Sequence, residues 1–141
     1  MIKLTGIAAI ALTALFSAEL ADQWLATLSP ANGSTVSGTA TAEAVGTADS
    51  TRVKISIRGA APNATLPWRI SGGRCDSVAA VLGADAAYPN LQTIANGSAD
   101  ASVTLPVRPL KAAPYTVRIL GSAGVTACGD LKPVLNKMPG L

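Results

Sequence analysis

The chain has 141 residues, a length that suggests one domain, and its 11 Lys and Arg against 8 Asp and Glu give a formal net charge of +3. These charges are spread along the chain rather than gathered in a run, so we expect no nucleic-acid binding. The sequence contains no histidine, which excludes Ser-His-Asp and Cys-His nucleophilic sites.

Residues 1–21 have the layout of a secretory signal peptide. Lys3 supplies a positive charge, residues 4–16 form an uncharged and mostly apolar run, and small residues follow at Ser17, Ala18 and Ala21. The run is shorter than the ~20 residues that span a bilayer, so we expect no transmembrane anchor in the mature chain. The prediction is an exported protein, periplasmic or secreted outside the cell, with a domain at residues 22–132 and a tail at residues 133–141.

From Trp24 onward the sequence predicts short β-strands separated by Gly, Pro, Asn and Asp. The first candidates are WLATLSP and TVSGTATAEAV, with Gly38 expected to form a bulge. In TRVKISIRG the residues Val53, Ile55 and Ile57 alternate with polar ones, which predicts an antiparallel sheet with one face in water. Asn32, Asn63 and Asn96 begin formal glycosylation sequons, but their Gly, Pro and Asn surroundings favour turns.

The second half continues the β pattern after one irregular segment. In TLPWRIS, Trp68 and Ile70 share a face opposite Arg69 and Ser71. Residues 76–82 suggest a short helical turn or a loop, and ASVTLPV, PYTVRIL and GVTACGDL are the remaining strands. Short strands with almost no helical period predict an all-β sandwich or flattened barrel.

Two cysteines, Cys75 and Cys128, lie in the predicted exported part of the chain. An even cysteine count in an oxidising compartment most simply forms a disulfide, and two free buried thiols are the alternative.

The order of these strands and cysteines resembles the copper/zinc superoxide dismutase family and its secreted relatives. In that family a strand reading roughly F-H-V-H leads through glycine to a cysteine, and the chain closes on A-C-G. Here WRIS at 68–71 leads through glycines to Cys75, and ACG at 127–129 contains Cys128. The resemblance implies an eight-stranded Greek-key sandwich or flattened barrel, with Cys75 bonded to Cys128.

The sequence departs from this family at the metal site. The positions of the first two copper ligands fall at Arg69 and Ser71, the last falls at Leu120, and the position of the arginine that guides superoxide is Val125. Copper and zinc need neutral imidazole nitrogens, which arginine cannot supply. The resemblance therefore implies a former metal face, and we expect no catalytic residue, no bound metal and no cofactor.

Three functional hypotheses follow. The first is a non-catalytic binding or structural module, with Arg69, Arg74 and Arg118 as candidate anion-binding residues for an acidic polymer, an anionic surface or an envelope protein. An ordinary solvated surface is the alternative interpretation of these arginines. The second is a superoxide dismutase or copper-handling protein with unrecognised ligands. The third is an accessory subunit of an envelope or extracellular assembly.

Overall fold

The computed structural model describes residues 23–45, 49–107, 114–122 and 124–134. The signal peptide predicted at residues 1–21 and most of the predicted tail lie outside the described residues. Ten strands and one 3₁₀ turn, Asp85–Ala87, are found within the described part. The strands are β1 (Gln23–Pro30), β2 (Ser37–Ala44), β3 (Thr51–Arg58), β4 (Thr65–Leu66), β5 (Trp68–Arg74), β6 (Ser77–Val81), β7 (Leu91–Gln92), β8 (Ala99–Leu105), β9 (Tyr115–Gly121) and β10 (Gly124–Val134).

Eight strands form one antiparallel sheet that curls into a half-barrel, in the order β6, β5, β9, β10, β1, β2, β3, β8. The short strands β4 and β7 pair with each other. β1, β2 and β3 are neighbours in the sheet and form a meander. β5 and β8 lie towards opposite ends of the sheet, so the chain crosses the open side of the half-barrel when it passes from β3 to β5 and from β6 to β8, as in a Greek key. The predicted all-β fold is confirmed.

The core lies inside the curl and is built from the inward-facing residues of the strands other than β6, whose residues are mostly exposed. Val53, Ile55 and Ile57 are at most 2% exposed while their neighbours on β3 face solvent, which confirms the predicted alternation. Trp68 and Ile70 of β5 are completely buried on the same inner side. Because aromatic residues are few, this core depends on branched aliphatic side chains and on Trp68.

Gly38 is not a bulge, contrary to the sequence-based expectation. The register of β2 and β3 runs without interruption from Ser37 opposite Arg58 to Ala44 opposite Thr51. A Cβ atom on Gly38 would lie 2.0 Å from the backbone oxygen of Ser56. The glycine is therefore explained by the close approach of two backbones.

Residues 77–81, expected to be a helical turn or a loop, form the strand β6 instead. A tight turn at Cys75 and Asp76 returns the chain along β5, with Arg74 opposite Ser77. Gly73 has a φ of +92°, in the region that favours glycine, and the register shifts between Ser71 and Gly73. The apolar run VAAV has no clear period, so its sequence alone does not separate helix from strand.

The ends and turns of the sheet complete the fold. β10 continues to Val134, with Pro133 opposite Trp24, so the sheet extends past the expected domain end at residue 132. Asn32 and Asn63 both have a φ of 53°, which agrees with their interpretation as turn residues. The described residues include no helix of the length and hydropathy needed to cross a membrane.

Candidate functional site

Two arginines lie directly opposite each other where β5 meets β9. The register places Arg69 opposite Arg118 and Ser71 opposite Thr116. Directly opposite residues of an antiparallel pair share a face, and the alternate residues Trp68 and Ile119 point into the core. We call the outer side of β5 and β9 that carries Arg69, Ser71, Thr116, Arg118 and Leu120 the arginine face, although Ser71 and Thr116 are completely buried on it. The predicted former metal positions Arg69, Ser71 and Leu120 thus belong to one face.

Arg69 is held by one carboxylate and one backbone oxygen. Its Nε donates to Oδ1 of Asp85 at 3.1 Å, and its Nη1 donates to the backbone oxygen of Trp68 at 2.6 Å. The Asp85 side chain, in the 3₁₀ turn, is 71% exposed, whereas that of Arg69 is 20% exposed. Water therefore reaches the Asp85 carboxylate and screens its attraction to Arg69, so this ion pair contributes little to stability.

Arg118 lacks a carboxylate partner among the described residues. Its Nη2 donates to the hydroxyl of Ser71 at 3.2 Å, and Ser71 is completely buried. The Nε atom of Arg118 is buried and donates to no described residue. A buried donor without an acceptor is unfavourable, and the facing charge of Arg69 adds repulsion. An additional acceptor beside Arg118 would relieve both effects.

Tyr88, which the sequence analysis did not single out, packs against the first arginine. Arg69 Cζ lies 5.6 Å from the centroid of the Tyr88 ring, within the range of a cation–π contact. Tyr88 also meets Trp68 edge to face, with ring centroids 5.0 Å apart. The segment after β6 therefore packs against the first residues of β5. The only sequence signal for this role is an isolated aromatic residue in an aliphatic, irregular segment.

The Tyr88 hydroxyl is buried and hydrogen-bonded to the backbone. It contacts the backbone oxygens of Leu82 and Ile70, the second at 3.4 Å. Burial raises the pKa of Tyr88 to about 12, and the smaller effects of the Ile70 hydrogen bond and of Arg69 oppose this increase. Tyr88 is therefore neutral near pH 7 and acts as an anchor for the segment that carries Asp85.

The predicted disulfide between Cys75 and Cys128 is present, with an S–S distance of 2.06 Å. It joins the turn after β5 to the middle of β10. The Thr116 hydroxyl lies 3.1 Å from each sulfur and donates to the backbone oxygen of Gly129 at 3.0 Å. The Cys75 amide donates to Oδ1 of Asp130 at 3.1 Å. The disulfide thus fixes the end of the arginine face nearest Thr116.

Arg74, the third candidate anion-binding residue, does not join the other two. It lies at the far end of β5, five positions from Arg69, which corresponds to about 16 Å along an extended strand. There it lines a separate cleft of 140 Å³ with Tyr115, Asp130 and Lys132. The structure therefore brings together Arg69 and Arg118 and leaves Arg74 apart.

Larger grooves occur on other surfaces, and they are not lined by Arg69 or Arg118. One of 490 Å³ crosses the outer side of β2, β3 and β8 and is lined by Lys54, Asp100 and short side chains such as Thr39, Ser56 and Ser102. Another of 580 Å³ runs along β1 and β10 past the disulfide. In the described residues, no group of three His, Cys, Asp or Glu side chains is placed to hold a metal ion.

Comparison with known proteins gives a structural match and no sequence match. No protein-family profile and no curated protein matches the chain. A solved structure of a mutant of Candida albicans superoxide dismutase 5 is similar with a TM-score of 0.55 at 10% identity. The match covers 86% of this chain and 97% of that one. At this identity the similarity shows the fold alone, which is that of a superoxide dismutase-like β-protein.

Proposed function

We propose that this protein is an exported, non-catalytic domain with a superoxide dismutase-like fold, and that it binds an anionic group on the arginine face. The observation that carries the proposal is the pairing of Arg69 with Arg118, which has no carboxylate partner among the described residues.

The chemistry of this face favours an oxyanion as the bound group. A guanidinium offers a planar fork of donors that matches carboxylate, phosphate or sulfate oxygens. Asp85 engages Arg69 from the solvent side and leaves Arg118 without an acidic partner in the described chain. An anion placed between the two arginines would neutralise their repulsion, because it attracts both.

The donors present on the arginine face do not fit copper or zinc. A guanidinium has no lone pair to give a metal at neutral pH, and the side chain of Leu120 has no donor atom. The Ser71 hydroxyl already accepts a hydrogen bond from Arg118, and its oxygen is a poor ligand for either metal. This mismatch supports a binding role rather than a redox activity, and we derive no step through a metal.

Export is supported by two independent features. The layout of residues 1–21 is that of a signal peptide, and the Cys75–Cys128 disulfide is of a kind that persists in oxidising compartments. The anionic partner is therefore expected outside the cytoplasm, as an acidic polymer, an anionic surface or an acidic protein.

Titration of the purified protein with inorganic phosphate, sulfate and poly-glutamate tests the proposal, with the arginine Nε–H resonances as the readout. We expect the Arg118 and Arg69 signals to shift together, and affinity to fall with salt because exposed charges are screened over about 10 Å at 0.1 M. Arg69→Ala with Arg118→Ala should remove the binding.

The matched control is Arg52→Ala with Arg58→Ala, which removes the same charge from the outer face of β3. If both double variants lose affinity equally, the effect is one of net charge and the arginine face is ordinary surface. Metal analysis of the purified protein tests the non-catalytic part: one tightly held copper ion per chain would contradict it.

A further inference from the structure

The Cys75–Cys128 disulfide lies where a dissolved thiol can reach it. Cys75 is exposed and Cys128 is half-buried. The bond also lines the 580 Å³ groove that runs along β1 and β10. Thiol–disulfide exchange requires a thiolate to reach one of the two sulfurs, and exposed disulfides are therefore more easily reduced than buried ones. Access thus points to Cys75 as the cysteine that is attacked.

Arg118 is the neighbour of Cys128 on the outer side of the sheet. The register of β9 and β10 places these two residues directly opposite each other. Directly opposite residues of an antiparallel pair have Cβ atoms about 4.5–5.5 Å apart, so the guanidinium group lies close to the Cys128 side chain. A nearby guanidinium favours the thiolate form of a cysteine. The sheet therefore places a positive charge beside the sulfur that leaves when Cys75 is attacked.

Two hydrogen-bond donors around Cys128 are suited to a thiolate. The Nε atom of Arg118 is buried and donates to no described residue. The Thr116 hydroxyl lies 3.1 Å from each sulfur and donates to the backbone oxygen of Gly129 in the oxidised protein. A neutral sulfur is a weak acceptor, whereas an ionised acceptor forms hydrogen bonds about twice as strong as a neutral one. Both donors therefore gain a better acceptor when Cys128 becomes a thiolate.

The groove beside the disulfide has the size and charge of a site for a small thiol that carries a carboxylate. Its 580 Å³ falls in the range of about 300–1,000 Å³ that is typical of small-molecule sites. Of the two charged residues that line it, Asp130 already accepts a hydrogen bond from the Cys75 amide. Lys132 is exposed and forms no ion pair within the described chain. The lysine is thus the group available to bind a carboxylate of the thiol.

We propose that the disulfide is a site of exchange with small carboxylate-bearing thiols. The thiolate of the incoming molecule attacks Sγ of Cys75, and a new S–S bond forms between these two atoms. The bond from Cys75 to Cys128 breaks, and its electron pair leaves with the Cys128 sulfur as a thiolate, so this step requires no proton. Arg118 stabilises the leaving thiolate, and Lys132 holds the carboxylate of the thiol. The product is a mixed disulfide on Cys75.

Reduced glutathione and cysteamine, a thiol without a carboxylate, are the probes. The intact mass of the acid-quenched native protein measures the mixed disulfide, and peptide mapping should place it on Cys75. Arg118→Ala should slow exchange with both probes by about three- to tenfold, because the Cys128 thiolate leaves less readily, and Arg118→Lys should restore most of the rate. Lys132→Ala should slow exchange with glutathione alone.

Two features of this experiment separate the proposed role of Arg118 from a structural one. A substitution that merely loosened the fold would expose the disulfide and make exchange faster, not slower. The matched control is Arg58→Ala, which removes the same charge from an exposed position of β3 and should leave both rates unchanged. The buffer contains chloride and no phosphate or sulfate, so no oxyanion competes for Arg118.

Three results would overturn the proposal. The first is native protein that forms no mixed disulfide, or forms it mainly on Cys128. The second is an exchange rate that rises with urea in step with global unfolding, because the reaction then needs the unfolded chain. The third is an unchanged or faster rate in Arg118→Ala. Exchange goes beyond the proposed anion binding, which is measured on the oxidised protein, so either proposal can fail without the other.

Discussion

At the scale of single residues, the ring of Tyr88 holds the segment after β6 against the start of β5. Tyr88 contacts Trp68 edge to face and Arg69 through a cation–π contact, and its hydroxyl bonds to backbone oxygens. Its neighbour in the same segment, Asp85, forms the ion pair with Arg69. Tyr88 therefore sets the position of Asp85, the carboxylate among the described residues that would compete with an external anion for Arg69.

Alkaline titration should reveal the buried state of Tyr88. Its pKa is about 12 in the folded protein against an ordinary value of 10, so the folded state holds this proton more tightly. The resulting stabilisation is complete below pH 10 and is lost as pH rises through about 12. Ultraviolet absorbance should show this late ionisation, and Tyr88→Phe should abolish it. A wild-type titration with every tyrosine ionising near pH 10 would contradict the assignment.

Gly38 is a second residue whose role is set by one contact. Gly38→Ala forces a methyl group against the backbone oxygen of Ser56, and we expect a loss of about 1–3 kcal/mol in the free energy of unfolding. The matched substitution is Gly72→Ala in β5, where the new Cβ would meet Ala79 at an ordinary 3.5 Å. That change should be neutral or slightly stabilising. Urea unfolding distinguishes the two, and equal losses would argue against the close-approach explanation.

At the scale of elements, the β5–β6 hairpin joins the arginine face to the edge of the sheet at which β6 is the last strand. The disulfide ties its turn to β10, and the Thr116 hydroxyl fills the space beside both sulfurs. Without this link, the hairpin would be attached through β5 alone, because the free edge of β6 has no partner strand in the described chain. The disulfide is therefore expected to stabilise the whole domain and to keep β6 in place.

Replacing Cys75 and Cys128 with alanine should lower the free energy of unfolding by up to about 4 kcal/mol. The two cysteines are 53 positions apart, and closing a loop of that length restricts the unfolded chain by roughly this amount. Chemical denaturation at equilibrium measures the loss, and reduced wild-type protein should match the double variant. A loss below about 1 kcal/mol would contradict the expectation that the disulfide stabilises the fold by restricting the unfolded chain.

Sequence patterns predicted those elements whose residues alternate strictly. In β3 and β5 one side of the strand is apolar and the other is polar, so both the strand and its orientation follow from the period of two. β6 was not predicted, because VAAV has no alternation and both of its faces are exposed. The meeting of Arg69 and Arg118 depends on the register of β5 and β9, which are far apart in the chain.

The same limit applies to the remainder of the candidate site. The face of Arg69 follows from its own strand, but its contacts with Asp85 and Tyr88 come from an irregular segment that no local pattern positions. The charge of Arg74 is visible in the sequence, whereas its separation from the other arginines requires the direction and length of β5. Long-range register and loop conformation thus determine which of the cationic residues act together.

At the scale of the whole molecule, an anion bound to the arginine face should stabilise the fold, because it binds the folded chain and not the unfolded one. A ligand at 100 times its dissociation constant contributes about 2.7 kcal/mol, which corresponds to a rise in melting temperature of roughly 10 °C or more for a domain of this size. Sulfate and chloride at equal ionic strength should therefore give different melting temperatures, because only sulfate offers several oxygens to both guanidinium groups.

The difference should vanish in the Arg69→Ala, Arg118→Ala variant and persist in the Arg52→Ala, Arg58→Ala control. Sulfate also stabilises proteins in general through exclusion from their surfaces. An equal rise in all three proteins would therefore assign the effect to that exclusion and remove the arginine face as its cause.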